Sequence, residues 1–288
     1  MSMRFDNKTV VVSGAAGGIG DAIAREFASL GATVFACDRR QDRLAELEAA
    51  GVAVETVDLT DRGAAAAWIA GIETRRGGAV DVLVNNSGGV AGQTGRALEE
   101  VSDADWDEVM AINLGAAFAL SRACVPGMKR ARRGCIVNIT SGAATNPSLT
   151  GIQSYCATKH AVVGLTEALR SELRGTGIEL HQVLPIGVNT ELYSGVSAAR
   201  GFPTAEPQDV ADTIVELLQT GKFELYVPRK VAAITRMQAL MPRRVAEAII
   251  RFTKGDQLLL AADPAARAAY EARITGSAPA PEQERTAA

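Results

Sequence analysis

Two residues with acid–base potential, Tyr155 and Lys159, lie four positions apart in a stretch with a helical pattern. That spacing puts both side chains on one face of a helix. A free tyrosine has a pKa of about 10 and is a poor base at neutral pH. An ammonium group beside the phenol favours the phenolate and therefore lowers the pKa of the tyrosine. The pair indicates an acid–base group, although the same spacing is also typical of ordinary pairs on exposed helices.

Polar residues follow two predicted strands. Ser141 follows the apolar run that begins at Cys135, and Asn85 to Gly88 follow the run that begins at Val80. The carboxyl ends of parallel strands form the sheet edge at which ligands bind. Asn113 lies inside a long predicted helix, where a polar side chain needs a reason to face inward. Ser141 and Asn113 therefore join the tyrosine and the lysine as candidate site residues.

The segment from Ser13 to Gly20 (SGAAGGIG) joins the first predicted strand to a helix. Backbone N–H groups and the positive end of the helix dipole converge at such a junction and suit a pyrophosphate. Glycines are needed because a Cβ would block the tight turn and the approach of the phosphates. The candidate phosphate-binding residues are Ser13, Gly14, Gly18, Ile19 and Gly20.

Asp38 ends the second predicted strand, 18 residues beyond Gly20. A carboxylate there accepts hydrogen bonds from the hydroxyls of an adenosine ribose and repels a 2′-phosphate. The glycine loop contains no basic residue. The sequence therefore favours NAD, with NADP as the alternative if Arg39 or Arg40 reaches a 2′-phosphate rather than lying in solvent at the start of a helix.

In combination, these motifs resemble the short-chain dehydrogenase/reductase (SDR) family over about residues 7–228. The glycine motif of the family appears at Ser13–Gly20, its Asn-Asn-Ala-Gly motif at Asn85–Gly88, and its Tyr-x-x-x-Lys motif at Tyr155–Lys159. The further cofactor-binding positions that the resemblance assigns are Asp58, Leu59, Asn85, Ser87, Tyr155, Lys159, Val188 and Thr190.

The resemblance implies hydride transfer between a nicotinamide and an alcohol or carbonyl carbon. Tyr155 would exchange a proton with the substrate oxygen, and Ser141 would hydrogen-bond that oxygen. Lys159 would depress the tyrosine pKa and hold the nicotinamide ribose. Asn113 would position a water that relays protons to the lysine.

Three departures from the family pattern stand out. Ser13 replaces a threonine and Ser87 replaces an alanine, and both changes are small. Ile186 replaces the glycine of a Pro-Gly pair after the sixth strand, and Gly187 follows it. The spacing from Ser141 to Tyr155 is one residue longer than the commonest in the family.

Short β-branched runs alternate with longer alanine-rich stretches, which indicates βαβ units and a parallel sheet. The predicted fold class is α/β: a doubly wound Rossmann fold with a seven-stranded, mostly parallel sheet and a C-terminal helical extension. We expect a catalytic domain at 1–228, a helical cap at 229–275 and a mobile tail at 276–288. The long helix Asp103–Arg132 is expected to kink near Pro126.

The cap begins with an amphipathic, basic segment, residues 230–254, interpreted as two short helices broken near Pro242, with a third helix at Pro264–Ile274. Packing of this segment on the core is the first interpretation, and contact with a membrane surface or a partner is the alternative.

Composition excludes several classes. Thirty basic and 33 acidic residues give a net charge of −3, so there is no global positive field for a nucleic acid. The four cysteines contain no CxxC pair and are expected to be reduced thiols. With two histidines, a histidine-built metal site is not expected, and His181 is expected to be a core or edge residue. No apolar run reaches about 18 residues and no signal-peptide pattern opens the chain, so a cytoplasmic protein is expected.

The substrate is only weakly encoded. An apolar lid at Glu191–Phe202, which contains Tyr193, and the cap residues Met237, Leu240 and Met241 favour a hydrophobic secondary alcohol or ketone, such as a steroid, terpenoid or long-chain compound. An NADPH-dependent carbonyl reductase and a non-catalytic nucleotide-sensing scaffold are the alternatives. A homodimer or homotetramer formed through the helices Asp103–Arg132 and Ser154–Arg174 is expected.

Overall fold

The computed structural model of the chain describes residues 5–144, 151–190 and 204–252. The predicted lid with Tyr193 and the predicted helix Pro264–Ile274 lie outside the described residues.

A single parallel sheet of seven strands forms the centre of the described structure, in the order β3-β2-β1-β4-β5-β6-β7. Strands β2 and β3 lie on one side of β1, and β4 to β7 lie on the other side, so the direction of the strand order reverses at β1. Ligands bind at such a switch point in open α/β sheets. The strands are β1 (Thr9–Ser13), β2 (Thr33–Asp38), β3 (Ala53–Thr56), β4 (Val82–Asn85), β5 (Gly134–Ile139), β6 (Ile178–Pro185) and β7 (Glu224–Val227).

Helices cover both faces of the sheet. Apolar residues alternate between two cores: Val10 and Val12 face the core beneath α1 and α7, while Val11 faces the core beneath α3 and α5. The helices are α1 (Gly18–Ser29), α2 (Gln41–Ala49), α3 (Arg62–Arg76), α4 (Asp103–Met110), α5 (Ala116–Ala131), α6 (Gln153–Glu172), α7 (Pro207–Thr220), α8 (Arg229–Leu240) and α9 (Arg243–Phe252).

Within the described residues, the predicted strands and helices are confirmed, with ends that differ by at most two residues. Helix α5 continues through Pro126 to Ala131, so the proline does not end the helix, and the expected kink there stays a prediction. A separate irregularity lies earlier, where a π-helical segment, Ala111–Gly115, joins α4 to α5.

This joined helix, Asp103–Ala131, has the length and hydropathy that a membrane-crossing helix would need. Part of its surface packs inside the protein: Ala116, Ala119, Leu120, Cys124 and Met128 lie in the core beneath α3 and α5. A core helix of a globular protein passes the same test of length and composition, so the finding is weak evidence for a membrane span.

The predicted break near Pro242 is confirmed, since α8 ends at Leu240 and α9 begins at Arg243. Helix α8 packs against β7. Met237 and Leu240 are exposed, as is Phe252 of α9. The assignment of residues 229–275 to a separate cap stays a prediction.

Candidate active site

The glycine loop forms an open cradle at the start of α1. No side chain of the described residues caps this helix, so its first N–H groups face the loop. A Cβ on Gly20 would lie 2.1 Å from the Gly14 carbonyl oxygen, and Gly14 adopts φ +67° against the backbone of Ser87. Larger residues at these two positions would disrupt the loop. Backbone donors and a helix N-terminus in one cradle fit a pyrophosphate.

Ser13 and Asn86 hold this loop against the end of β4. The Ser13 hydroxyl oxygen accepts hydrogen bonds from the N–H groups of Asn86 and Ser87, at 3.0 and 3.1 Å, and the hydroxyl donates to the Val84 carbonyl. The Asn86 side-chain amide donates to the carbonyls of Ser13 and Gly14. The serine that replaces the family's threonine therefore supplies the hydroxyl that fixes the turn.

Asp38 lies beside the glycine loop, as expected for a residue that reads the ribose. Its carboxylate accepts from the N–H of Ala16 at 3.1 Å and from the N–H of Arg40 at 3.1 Å. The two candidate arginines point to different partners. The Arg39 guanidinium forms an ion pair with Glu108 at 3.4 Å, whereas Arg40 Nε lies 3.6 Å from Asp38 Oδ1. Arg40 is therefore the one of the two that remains at the loop.

Arg43 is a second cation at the loop that the sequence argument missed. The guanidinium groups of Arg40 and Arg43 both lie within 3.9 Å of the place that a Cβ on Gly17 would occupy. Arg43 is the third residue of α2 and follows Arg40 by three positions, and this short spacing of two arginines was the signal available. The negative charge of Asp38 opposes a 2′-phosphate at this loop, while the positive charges of Arg40 and Arg43 attract one. The balance of these charges therefore decides between NAD and NADP.

Asp58 and Leu59 follow β3. Thr60 donates to the Asp58 carboxylate through its hydroxyl at 2.7 Å and its N–H at 2.9 Å, and these bonds lower the pKa of Asp58. Leu59 is buried in the core beneath α3 and α5. The structure shows a fixed turn at this position; contact with adenine stays a prediction.

Lys159 is the buried charge at the centre of the site. Its ammonium donates to the Ile139 carbonyl at the end of β5, at 2.9 Å, and lies 5.6 Å from the centre of the Tyr155 ring. Burial lowers the pKa of Lys159 to about 8. The expected shared helix face of Tyr155 and Lys159 is thus realised, with the lysine directed at the end of β5.

Asn113 faces inward, as expected, and its position follows from the π-helical segment. Its side chain accepts from the Gly89 N–H at 3.0 Å and donates to the carbonyls of Gly89 and Val109, at 2.8 and 3.0 Å. The place that a Cβ on Gly88 would occupy is 2.3 Å from Asn113 Oδ1 and 3.3 Å from Lys159 Nζ. Asn113 therefore clamps the loop after β4 immediately beside the lysine.

Ser141 lies two residues beyond the carbonyl that Lys159 contacts. Its Oγ accepts from the Ala143 N–H at 3.1 Å, which orients the hydroxyl at the start of a short 3₁₀ turn, Gly142–Ala144. Helix α6, which carries Tyr155, packs against this turn. The extra residue between Ser141 and Tyr155 falls in the loop between β5 and α6, which includes residues outside the described part.

The unusual Ile186 packs directly over Gly142. A Cβ on Gly142 would lie 2.1 Å from Cγ1 and 2.5 Å from Cδ1 of Ile186. The isoleucine side chain therefore occupies space that the glycine next to Ser141 leaves open. Gly187 follows with φ +64° and supplies the left-handed backbone one residue later.

Val188 and Thr190 bring the loop after β6 to the glycine loop. Val188 is buried, and the Thr190 Cγ2 atom lies 3.3 Å from the place of a Cβ on Gly18. The candidate residues after β6 and those after β1 therefore flank one cleft.

A buried polar network beneath the cleft was missed by the sequence argument. Asn85 donates to Ser121 Oγ at 3.1 Å and to Asn138 Oδ1 at 2.8 Å, and Asn138 donates to Thr166 Oγ1 at 2.8 Å. It links β4, β5, α5 and α6, which carry or adjoin the candidate residues. Asn138 in an otherwise apolar strand was the available signal. Asn85 lies in this network, and its predicted contact with the cofactor stays a prediction.

Comparisons with known proteins and protein families all find dehydrogenases or oxidoreductases similar to this chain. A profile of the short chain dehydrogenase family matches residues 8–201. D-threitol dehydrogenase from Mycolicibacterium smegmatis is 35% identical over 80% of this chain and 85% of the relative. A 3beta-hydroxysteroid dehydrogenase from Mediterraneibacter gnavus is 35% identical over 76% of each chain.

A similar solved structure is the crystal structure of a metagenomic short-chain oxidoreductase in complex with NADP. It has a TM-score of 0.63 and 36% identity, and the match covers 77% of this chain and 96% of that one. The two relatives and this structure thus match similar shares of the chain, between 76% and 80%.

Proposed function

The chain belongs to the short-chain dehydrogenase family, and we propose that it transfers a hydride between NAD(H) and the carbinol or carbonyl carbon of a hydrophobic secondary alcohol or ketone. The observation that carries this proposal is the convergence of Tyr155, Lys159 and Asn113 at the ends of β4 and β5. A non-catalytic scaffold has no evident need for a buried lysine beside a tyrosine at a ligand-binding edge.

The residues present fit a nicotinamide dinucleotide. The glycine cradle and the uncapped start of α1 would bind the pyrophosphate. Asp38 would bind the adenosine ribose, and Lys159 with Tyr155 would contact the nicotinamide ribose. Val188 and Thr190 would meet the carboxamide. When bound, the nicotinamide supplies or accepts the hydride.

The protein supplies proton transfer and charge stabilisation. In the oxidation direction Tyr155 accepts the proton of the substrate hydroxyl, and in reduction it returns that proton to the carbonyl oxygen. The Ser141 hydroxyl donates a hydrogen bond to the same oxygen as negative charge develops on it. Because Lys159 is held by the Ile139 carbonyl, its charge stays beside the phenol and favours the phenolate.

Asn113 acts as a positioning residue in this proposal. Its amide group fixes the backbone of Gly89 and its Oδ1 atom lies beside Gly88. It thereby holds the loop after β4 close to Lys159, where a water between the asparagine and the lysine would relay protons.

NAD is the proposed cofactor because the Asp38 carboxylate stands where a 2′-phosphate would bring further negative charge. NADP is the alternative: Arg40 and Arg43 offset part of that charge, and the similar metagenomic oxidoreductase was solved with NADP. The two relatives are named for a polyol and a steroid, so both classes of substrate belong in the screen. Ile186, an apolar side chain beside Ser141, supports a hydrophobic substrate.

The experiment combines turnover with cofactor binding. Purified protein is assayed with NAD⁺ against steroid, terpenoid, long-chain and polyol alcohols, and Tyr155→Phe is compared with the wild type. We expect turnover of a hydrophobic alcohol that falls by about 10²- to 10⁴-fold in the variant while NADH binding, followed by fluorescence, is retained. Preference for polyols would overturn the substrate class, and full activity of the variant would overturn the mechanism.

The cofactor arm uses Asp38→Asn, which keeps the hydrogen-bond acceptor and removes the charge. The wild type should bind NADH more tightly than NADPH, and the substitution should shift that ratio towards NADPH by about tenfold, since repulsion between close charges amounts to about 1 kcal/mol or more. Asp42→Asn, on an exposed carboxylate of α2, is the matched control. An unchanged ratio in Asp38→Asn would contradict the assignment.

A further inference from the structure

Three potential metal ligands lie close together near the amino-terminal ends of the neighbouring strands β5 and β6. Cys135 is in register with Glu179 on the neighbouring strand, and His181 is two residues beyond Glu179. Residues two apart on a strand point to the same face of the sheet. One ligand atom of each of the three side chains lies within 4.8 Å of the others. The register of β5 against β6 therefore brings the three residues together. The positions of Cys135 and His181 in the sequence do not indicate that they lie close to each other.

His181 presents a buried nitrogen to this cluster. The residue is 2% exposed, and its Nδ1 atom is 2.9 Å from the Lys222 carbonyl oxygen. A carbonyl only accepts hydrogen bonds, so Nδ1 carries a proton, and in the neutral imidazole Nε2 then carries the lone pair. Among the described residues Nε2 has no hydrogen-bond partner. This arrangement, with one ring nitrogen held by a carbonyl and the other directed at a ligand, is typical of metal-binding histidines.

The other two groups complete a mixed donor set. Glu179 Oε2 lies 3.4 Å from His181 Nε2. Glu179 is exposed, which gives an ion a path from solvent, and Cys135 is half-buried beside it on the adjacent strand. The neighbouring charges at this edge already have partners: Asp81 pairs with both Lys8 and Arg133.

We propose that Cys135, Glu179 and His181 form a binding site for a divalent transition-metal ion, with Zn²⁺ as the best match. Zinc takes thiolate, imidazole and carboxylate ligands in tetrahedral geometry, and a water would supply the fourth ligand. On binding, the Cys135 S–H bond is broken, its proton passes to solvent, and sulfur, Nε2 and a carboxylate oxygen each donate an electron pair to the ion. The proposal departs from the expectation that a chain with two histidines has no histidine-built metal site.

The site lies at the opposite edge of the sheet from Ser141 and the end of β6. Because its ligands join β5 to β6, and the Lys222 carbonyl joins His181 to the turn before β7, bound metal would stabilise this end of the sheet. The ion takes no part in hydride transfer. The proposal therefore stands or falls independently of the proposed function.

The test measures zinc binding by the full-length, chelator-treated, reduced protein. Wild type is compared with Cys135→Ala and Glu179→Gln, which change the two more accessible ligands and spare the buried histidine. Cys156→Ala and Glu172→Gln are the matched controls for loss of a thiol and of an exposed carboxylate. Zinc affinity is measured by competition with a chromophoric chelator, and thermal unfolding is followed with and without Zn²⁺.

We expect one equivalent of zinc in the wild type, with a raised unfolding midpoint, because a ligand that binds only the folded state stabilises it. Affinity should fall at least tenfold in both ligand variants and stay unchanged in both controls. Co²⁺ should give the visible bands of a tetrahedral site with a thiolate charge-transfer band that Cys135→Ala abolishes. If the wild type binds no zinc, or the ligand variants bind it as well as the wild type, the pair His181–Glu179 is an ion pair only and the proposal is wrong.

Discussion

At the scale of a single residue, the buried ammonium group of Lys159 links the stability of the folded protein to pH. Burial lowers its pKa to about 8 in the folded protein, against about 10.4 in an unfolded chain. Between these two values the unfolded chain retains a proton that the folded chain has released. Folded-state stability therefore rises with pH across this window, by up to about 3 kcal/mol from this group.

Lys159→Met should remove that dependence. We expect the stability of the variant relative to the wild type to decline by up to about 3 kcal/mol between pH 7 and pH 10.5, as measured by urea unfolding under reducing conditions. The difference isolates the lysine, because burial also raises the pKa of the cysteine thiols in both proteins. Lys222→Met, which changes an exposed lysine, is the control. A difference that does not vary with pH would show that Lys159 is not a desolvated ammonium.

Local spacing explains which site residues the sequence predicts. Tyr155 and Lys159 belong to one helix, and their shared face follows from helical geometry alone. The contacts of Lys159 with Ile139 and of Ile186 with Gly142 join segments that are far apart in sequence. Their partners depend on strand order and register, which residue types do not specify.

At the scale of elements, the segments that follow β5 and β6 pack closely against each other through Gly142 and Ile186. Ile186 fills the space above Gly142, so Gly142→Ala would force the isoleucine side chain to move. We expect this substitution to cost about 1–3 kcal/mol, the usual penalty of overpacking, and the double variant with Ile186→Gly to recover part of the loss. Chemical denaturation of the single and double variants measures the coupling.

The control for this prediction is Gly164→Ala in α6. No atom of the described residues lies within 4 Å of the place of its Cβ, so the change should stabilise the protein by up to about 1 kcal/mol through helix propensity. If Gly142→Ala is as stable as the wild type, or if Ile186→Gly adds a further independent loss, the two strand ends are not coupled through this contact.

The long helix shows why element ends are easier to predict than irregularities within elements. Its limits follow from the amphipathic pattern and from Ser102, whose hydroxyl accepts from the Asp105 N–H. Pro126 is the visible helix-breaking signal, yet the irregularity is the π-helical segment around Asn113. That segment is stabilised by the contacts of Asn113 with Gly89, a tertiary interaction with no local sequence signal.

At the scale of the whole molecule, the alternation of strands and helices was sufficient to predict the class and the parallel sheet. The C-terminal segment was less informative, since helices α8 and α9 leave Met237, Leu240 and Phe252 exposed. Contact of residues 230–254 with a membrane surface stays a prediction. It would require the basic residues of this segment to offset the overall charge of −3.

Self-association is the prediction that belongs to the whole molecule. Assembly through the helices Asp103–Arg132 and Ser154–Arg174 is expected from the family resemblance, and Phe118 of α5 is 38% exposed, with the guanidinium groups of Arg62 and Arg122 beside its ring. A twofold axis along these helices would bring the same surface of both subunits together and bury this ring.

Light scattering on a sizing column should give a whole-number multiple of 30.1 kDa, greater than one. Phe118→Asp should lower that multiple, because it places a charge in the apolar centre of the contact. Leu98→Asp, on a residue that is 67% exposed outside these helices, should leave it unchanged. A wild-type mass of one chain would contradict assembly altogether, whereas equal effects of the two substitutions would place the contact elsewhere on the surface.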